Sequence, residues 1–258
     1  RSGNILNTQG LYTGLNLSTT TSGGGSDPFL QNLSNTSSGT TSALTDLSFL
    51  QFDFVPISSS FSFDFLFASN EYGQFQCLSN DIFAFELTNI GTGVTTNLGV
   101  IPSTSNPVTV KNIKNSAYNN TCSSTNPILF STYNVDNPPA STLNMRGHTV
   151  VLNASSAVIP NTAYRLKLVI ADYGDTDFDS SVFISGGSFT NTLDLGPDQT
   201  ICAGNTTILD TQLDNTYTYQ WFKDGIAIPG ANNSTYTVTK FNQNLNTTAQ
   251  YYLETTEQ

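Results

Sequence analysis

Carboxylates gather in two short segments that lie far apart in the chain. The first is Glu71-Tyr72 with Asn80-Asp81-Ile82-Phe83-Ala84-Phe85, and the second runs Asp172-Tyr-Gly-Asp175-Thr-Asp177-Phe-Asp179-Ser-Ser-Val-Phe183. Each abuts an alternating apolar run, so its acids stand at strand ends, where several can converge on one cation without entering a core. Ca2+ takes about six to eight oxygens, which carboxylates, amides and backbone carbonyls can supply together. Asp175, Asp177 and Asp179 at alternate positions imitate the opening of a calcium loop. Counted from Asp175, however, the EF-hand template meets Ser180 where it needs Gly and Gly186 where it needs Glu. The expectation is therefore a discontinuous calcium site made of Glu71, Asp81, Asp172 and Asp179, with Asp175 and Asp177 solvated. The competing expectation is that these carboxylates accept backbone N–H bonds in turns. Zinc does not suit the chain, because His148 is its only histidine and the three cysteines have no ligand spacing.

Paired acids also suit glycoside hydrolysis, where one carboxyl protonates the leaving group and another acts as base or nucleophile. Acids collected on a cation are ionised and coordinated, hence unavailable for proton transfer, and a Ser or Cys nucleophile would want a placed histidine. The chain reads as non-enzymatic. Tyr72, Tyr173 and Phe178 flank the acidic segments, and rings beside a calcium-organised strand end can stack on a sugar, so these are the candidate glycan contacts. The net charge of -11 with eight scattered Lys and Arg excludes a nucleic acid partner, because phosphate binding needs clustered cations. No apolar stretch approaches the roughly 18 residues of a membrane helix, so no membrane insertion is expected. Arg1 is not an initiator Met, which suits a processed chain rather than a cytosolic protein read from its start codon.

The elements that position these residues are strands. Only 10% of residues are charged, where about 25% is ordinary, and Ser, Thr, Asn and Gly fill the difference. Phe 17 and Tyr 11 favour strands, while exposed-helix formers are scarce, so almost no helix is expected. Phe61, Phe63, Phe65 and Phe67 recur at strict period two. At about 25 cal/mol per Å2 each buried ring contributes a few kcal/mol, so this strand is central and demands a facing sheet. Alternation returns at Phe52-Asp-Phe54, at Phe83, Phe85 and Leu87, at Val108 and Val110, at Thr149-Val-Val-Leu152, at Leu166, Leu168 and Ile170, and at Val182-Phe-Ile184. Turn clusters between them imply a large jelly-roll-like antiparallel β-sandwich in an all-β protein. Residues 15–45, built around Ser22-Gly-Gly-Gly-Ser26, read as a loop that wraps the domain or moves.

Near Phe189 the register changes, which divides the chain into 1–191 and 192–258. The second part carries Thr207-Ile-Leu-Asp210, Trp221 on an alternating strand, and the hairpin signal Lys223-Asp-Gly225, all of which suit a smaller immunoglobulin-like sandwich. Its final strand is missing, since only Glu254 to Gln258 follow Tyr251-Tyr-Leu253. Either that strand lies downstream, or another chain donates it and a polymer grows by β-augmentation. Cys77 and Cys122 are expected to form a disulfide worth roughly 3 to 4 kcal/mol. Cys202 is left over, which points to a partner elsewhere.

Five ordered motifs carry a family resemblance: Phe67-Ala-Ser-Asn-Glu71-Tyr72, Asn80-Asp81-Ile-Phe-Ala-Phe85, Val135-Asp-Asn-Pro-Pro139, Thr149-Val-Val-Leu152, and Ile170-Ala-Asp172 through Asp179-Ser-Ser-Val-Phe183. Over roughly residues 10 to 190 they resemble the choice-of-anchor L domain of surface and secreted proteins from Bacteroidetes-type bacteria. Asn70-Glu71 stands where that family usually has two successive acids. Leu193-Asp-Leu-Gly-Pro-Asp-Gln-Thr-Ile-Cys-Ala-Gly204 with Tyr219-Gln-Trp-Phe-Lys-Asp-Gly225 looks like the immunoglobulin-like repeats that follow such domains. The resemblance implies export, commonly by type IX secretion, and a place outside the cell or on the bacterial surface. The expected role is adhesion or surface assembly through a calcium-stabilised sandwich, with other surface proteins, copies of itself or glycans as partners. The alternatives are a structural subunit of an extracellular filament and a carbohydrate-binding module.

Overall fold

The computed structural model describes residues 1–20, 26–78, 80–189, 195, 198–211, 213, 217–239 and 249–257, with backbone alone for 254–257. It is 38% strand and 9% helical, in several antiparallel sheets, so the all-β sandwich reading holds. Two compact units emerge. One holds Arg1–Phe54, Phe61–Ser156 and Thr162–Thr190; the other gathers Val55–Ser60, Ala157–Asn161 and Asn191–Gln258. The expected boundary between residues 191 and 192 lies outside the described residues.

The first unit contains β1 (Leu44–Phe54), β2 (Ser60–Ser69), β3 (Ile82–Asn89), β4 (Thr95–Asn97), β5 (Phe130–Tyr133), β6 (Gly147–Thr149), β7 (Leu152–Ala157), β8 (Tyr164–Tyr173) and β9 (Ser180–Ile184). One sheet has the order β1-β8-β3-β4. The other runs β5-β6-β2-β7, with β9 also on β2. The phenylalanine run of β2 is buried, and its rings meet β3 of the facing sheet. Phe63 and Phe65 each lie 4.9 Å from Phe85, and Phe67 stacks on Phe83 at 5.2 Å. Period-two alternation put four rings on one face, and the second sheet covers them.

Helix α1 (Pro28–Ser38) corrects the expectation of a loop through residues 15–45. Local signals for it exist: Asp27 caps the N-terminus by accepting from Leu30 N–H at 2.9 Å, Pro28 opens the first turn, and Gly39 closes the helix at φ 72. What stabilises it is tertiary. β3 is buried on both faces, and Ile82 and Ala84, turned away from the phenylalanine core, pack with Leu47, Val169, Ala171 and Leu30 of α1. Polar composition hid the few apolar residues that this burial uses.

Two other strand expectations change. Val108 and Val110 are buried yet lie in a turn-rich segment whose bridge joins Val100 to Pro107, because two alternating valines specify burial without a ladder. Thr149-Val-Val-Leu152 is not one strand: β6 ends at Thr149 and β7 begins at Leu152, with Val150 and Val151 between them. A disulfide joins Cys77 to Cys122 with Cα atoms 5.7 Å apart, and anchors the turn that follows Tyr72. Among the described residues no helix is long and apolar enough to cross a membrane.

The second unit contains β10 (Thr206–Asp210), β11 (Tyr217–Lys223), β12 (Ile226–Ala227), β13 (Thr235–Thr239) and β14 (Tyr251–Glu257). They form a β10-β13 pair and a β12-β11-β14 sheet. Asp224 and Gly225, at φ 49 and φ 83, make the left-handed two-residue turn that lets Lys223 pair with Ile226. Trp221 is fully buried, and its Nε1–H donates to the Asn233 carbonyl at 2.8 Å.

Candidate functional site

Strand register assembles the acids. β3 pairs with β8 from Asn89↔Tyr164 to Ile82↔Ala171, which leaves Asp81 and Asp172 side by side at that end of the sheet. In the facing sheet β2 pairs with β9 up to Ser69↔Ser180, so Glu71 and Asp179 follow at the corresponding end. Hydrogen bonds join the two ends. Ser180 Oγ–H lies 2.7 Å from Asp81 Oδ2 and 2.9 Å from Ser69 Oγ, and Asp81 N–H donates to Glu71 Oε2 at 3.2 Å.

Glu71, Asp81, Asp172 and Asp179 are at most 2% exposed, so water cannot solvate their charges. Burial drives the Glu71 carboxyl up to about 8, and the charges of Asp172 and Asp175 add to the rise. Burial and the neighbouring Asp81 raise Asp172 to about 10. Asp81 is also raised well above its ordinary value, by burial first and by Glu71 second. Both carboxylate oxygens of Asp172, and both the amide oxygen and nitrogen of Asn80, which precedes Asp81 in the chain, are buried without a hydrogen-bond partner. Buried polar groups are ordinarily paired, so the two Asp172 oxygens and the Asn80 carbonyl oxygen are three acceptors without a donor or cation, while the Asn80 NH2 is a donor without an acceptor.

Asp179, the fourth expected ligand, already has partners of its own. Its Oδ2 accepts from Arg1 Nε at 3.0 Å and from Arg1 Nη2 at 2.7 Å, and its Oδ1 accepts from Thr19 N–H at 3.1 Å. The Thr19 N–H and the Arg1 guanidinium offset part of the cost of burying this carboxylate, although burial still leaves its pKa raised. The segment that supplies these partners is laid over the site. Ser2 N–H donates to the Ser180 carbonyl at 3.0 Å, Ser180 N–H donates to Ser2 Oγ at 3.0 Å, and Asp179 N–H donates to the Leu17 carbonyl at 3.0 Å. Gly3 lies so close that a Cβ there would sit 2.0 Å from Asp179 Oδ2. No sequence pattern announced this strap, because its contacts are long-range backbone bonds from polar residues. Asn80 had only its adjacency to Asp81 as a signal.

Of the three rings expected at a sugar site, Tyr72 is corrected to a core residue. It is fully buried, with its ring 4.6 Å from Phe130 and 6.4 Å from Phe67, so it offers no face to a ligand. Tyr173 is half-buried and ties the end of α1 to the following loop, its hydroxyl accepting from Ser38 Oγ at 2.8 Å and Ser42 N–H at 3.1 Å. Phe178, at φ 63, lays its half-buried ring against Phe75 at 4.1 Å. Asp175 and Asp177 are exposed.

The carboxylates of Glu71, Asp81 and Asp172 and the carbonyl oxygen of Asn80 are oxygen donors, which would suit calcium over zinc. Among the described residues, no group of three or more His, Cys, Asp or Glu side chains is placed so that it could hold a metal ion. The acids are brought together but not wrapped around a point.

No curated protein and no solved structure matches the chain. The family model for the Choice-of-anchor L domain does match, over residues 1–190, a span that contains every acid of the site and both sheets that carry them. The chain therefore belongs to the Choice-of-anchor L domain family, a membership that points to a surface-associated or secreted protein.

Proposed function

We propose that this is a non-enzymatic exported protein of the bacterial surface, whose sandwich is stabilised by calcium and serves adhesion or surface assembly. The observation that carries the calcium part is the burial of the trio Glu71, Asp81 and Asp172, with the Asp172 oxygens and the Asn80 carbonyl oxygen unpartnered. Glu71, Asp81, Asp172 and Asn80 would hold the cation, which would supply the missing positive charge. Asp179 would act with Arg1 to fasten the covering strap. A cation bound only by the native state raises stability by mass action. Thermal melting in millimolar calcium and in excess chelator tests this: the melting temperature rises with calcium, and equal melts in both remove the calcium reading.

The filament reading is favoured by the edge of the four-stranded sheet. β1 spans 11 residues, pairs on one side with β8, and exposes Phe49 at 61% and Leu50 at 60%, whereas the opposite edge strand β4 has three residues. Natural sheets usually shorten or charge such edges, because an open strand adds a strand from another chain. Light scattering across a concentration series separates the two readings. Growth to high mass supports a self-assembling subunit, and a constant 27.8 kDa supports a tethered adhesive domain.

A further inference from the structure

We propose that Lys167 and Asp27 are condensed into an intramolecular isopeptide bond, with Glu86 as the acid that relays the proton. Lys167 is on β8 and faces Glu86 directly across the β3–β8 ladder. Asp27 precedes α1, and its Oδ2 is in direct contact with Lys167 Nζ. The side chains of Lys167 and Asp27 are 20% and 2% exposed, and Glu86 is 8% exposed with its Oε1 buried and unpartnered. Apolar groups surround the three. Alternation along the strands puts Lys167 on the face of Val169 and Ala171, and Glu86 on the face of Ile82 and Ala84, all members of the cluster that packs on Leu30. The Phe49 ring lies over the ammonium at 5.1 Å.

An amine, a carboxyl and a second acid in an apolar pocket form a costly arrangement as ions, since two negative groups share one positive group away from water. Condensation removes one charge of each sign and leaves a single acid to remain neutral. Burial and the nearby Asp27 carboxylate raise Glu86 to about 7, so at neutral pH a large share of it carries the proton that the relay needs.

The atoms balance without any other reactant. The ammonium of Lys167 passes a proton to the Asp27 carboxylate, which leaves a neutral amine against a carboxylic acid. Nζ then attacks Asp27 Cγ. The C–N bond forms, Glu86 gives a proton to Oδ2 and takes one from Nζ, the Cγ–Oδ2 bond breaks, and Oδ2 departs as water. Glu86 ends as it began, and nothing is oxidised or reduced. The retained Oδ1 is the atom that accepts from Leu30 N–H at 2.9 Å, so the cap of α1 survives as an amide carbonyl. Fixed contact between the reacting atoms makes the reaction effectively unimolecular, the condition under which an unactivated carboxyl can be acylating. The product fastens α1 to β8 across a sequence separation of 140.

Intact-mass measurement on the purified chain, denatured and reduced, tests the bond. The expected mass is one water below that of the sequence, and digestion yields a branched peptide containing residues 27 and 167. Lys167→Arg, which keeps the ion pair and so the fold, shows the full mass, as does Glu86→Gln. Wild-type protein at full mass overturns the proposal, as does a water loss that persists in Lys167→Arg or maps to another residue. Bond formation at an undiminished rate in Glu86→Gln overturns the relay. The wild-type mass and the branched peptide decide the main point even where a variant fails to fold.

Discussion

Replacing Asp172 by Asn should stabilise the protein in chelator and abolish most of its response to calcium, a pair of opposite effects that ordinary core damage does not produce. Asp172 goes from 3.8 to about 10 on folding because it is buried beside Asp81. A group whose folded pKa is raised binds its proton more tightly in the native state. Its stabilising contribution is complete below the unfolded value and is lost as pH rises toward the folded value, here from about pH 4 to about pH 10. Near pH 7.5 the cation-free fold must keep the carboxyl protonated while the unfolded chain ionises it, and at 1.36 kcal/mol per pH unit this costs about 5 kcal/mol. Asparagine has the shape and no charge, so the variant in chelator should gain about 3 to 5 kcal/mol, or roughly 10 °C in melting temperature. The assay is differential scanning calorimetry of both proteins at about pH 6 and about pH 8, with chelator and with millimolar calcium. Wild type should weaken between the two pH values in chelator and recover with calcium, more so at the higher pH because binding displaces protons. The variant should show neither behaviour. If Asp172→Asn melts below wild type in chelator, the argument from an uncompensated buried acid fails.

The phenylalanine seam gives a sharper contrast. Phe65→Ala, at a ring packed on both Phe83 and Phe85, should cost about 3 to 5 kcal/mol in urea unfolding, while Phe49→Ala on the exposed edge stays within about 1 kcal/mol. Cys122→Ser should lose roughly 3 kcal/mol through the freed loop, read as a matching fall in the denaturation midpoint of the oxidised protein. Gly3→Ala puts a methyl into Asp179 and the Thr19 carbonyl, and should lower stability by about 1 to 3 kcal/mol with faster amide exchange at Ser180.

Some of this was legible in residue order alone. A period of two needs no partner to be read, so Phe61 to Phe67 announced a buried strand face, and the scarcity of charged helix formers announced an all-β protein. The hairpin at Asp224-Gly225 was equally local, since two adjacent positive φ angles restrict the residue choice by themselves. The two acidic segments were visible for the same reason. Their sorting was not. Asp179 is held by the Arg1 guanidinium and Thr19 while Asp172 has no guanidinium partner, and the difference comes from a strap whose residues are polar, aperiodic and distant in sequence.

Tyr72 and α1 mark the other boundary. An aromatic beside a carboxylate reads alike whether its ring faces water or Phe130, and a helix of Ser, Thr and Asn reads as a loop until Leu30 finds Ile82, Val169 and Ala171. Likewise, Asp27, Glu86 and Lys167 are isolated charges in the sequence, and only the register of β3 on β8 and the docking of α1 bring them into one pocket. Sequence by itself determined which faces are apolar and which segments are acidic, because those follow from backbone geometry within a few residues. Tertiary structure decided which charges are compensated, because compensation depends on what distant groups occupy the small volume that excludes water.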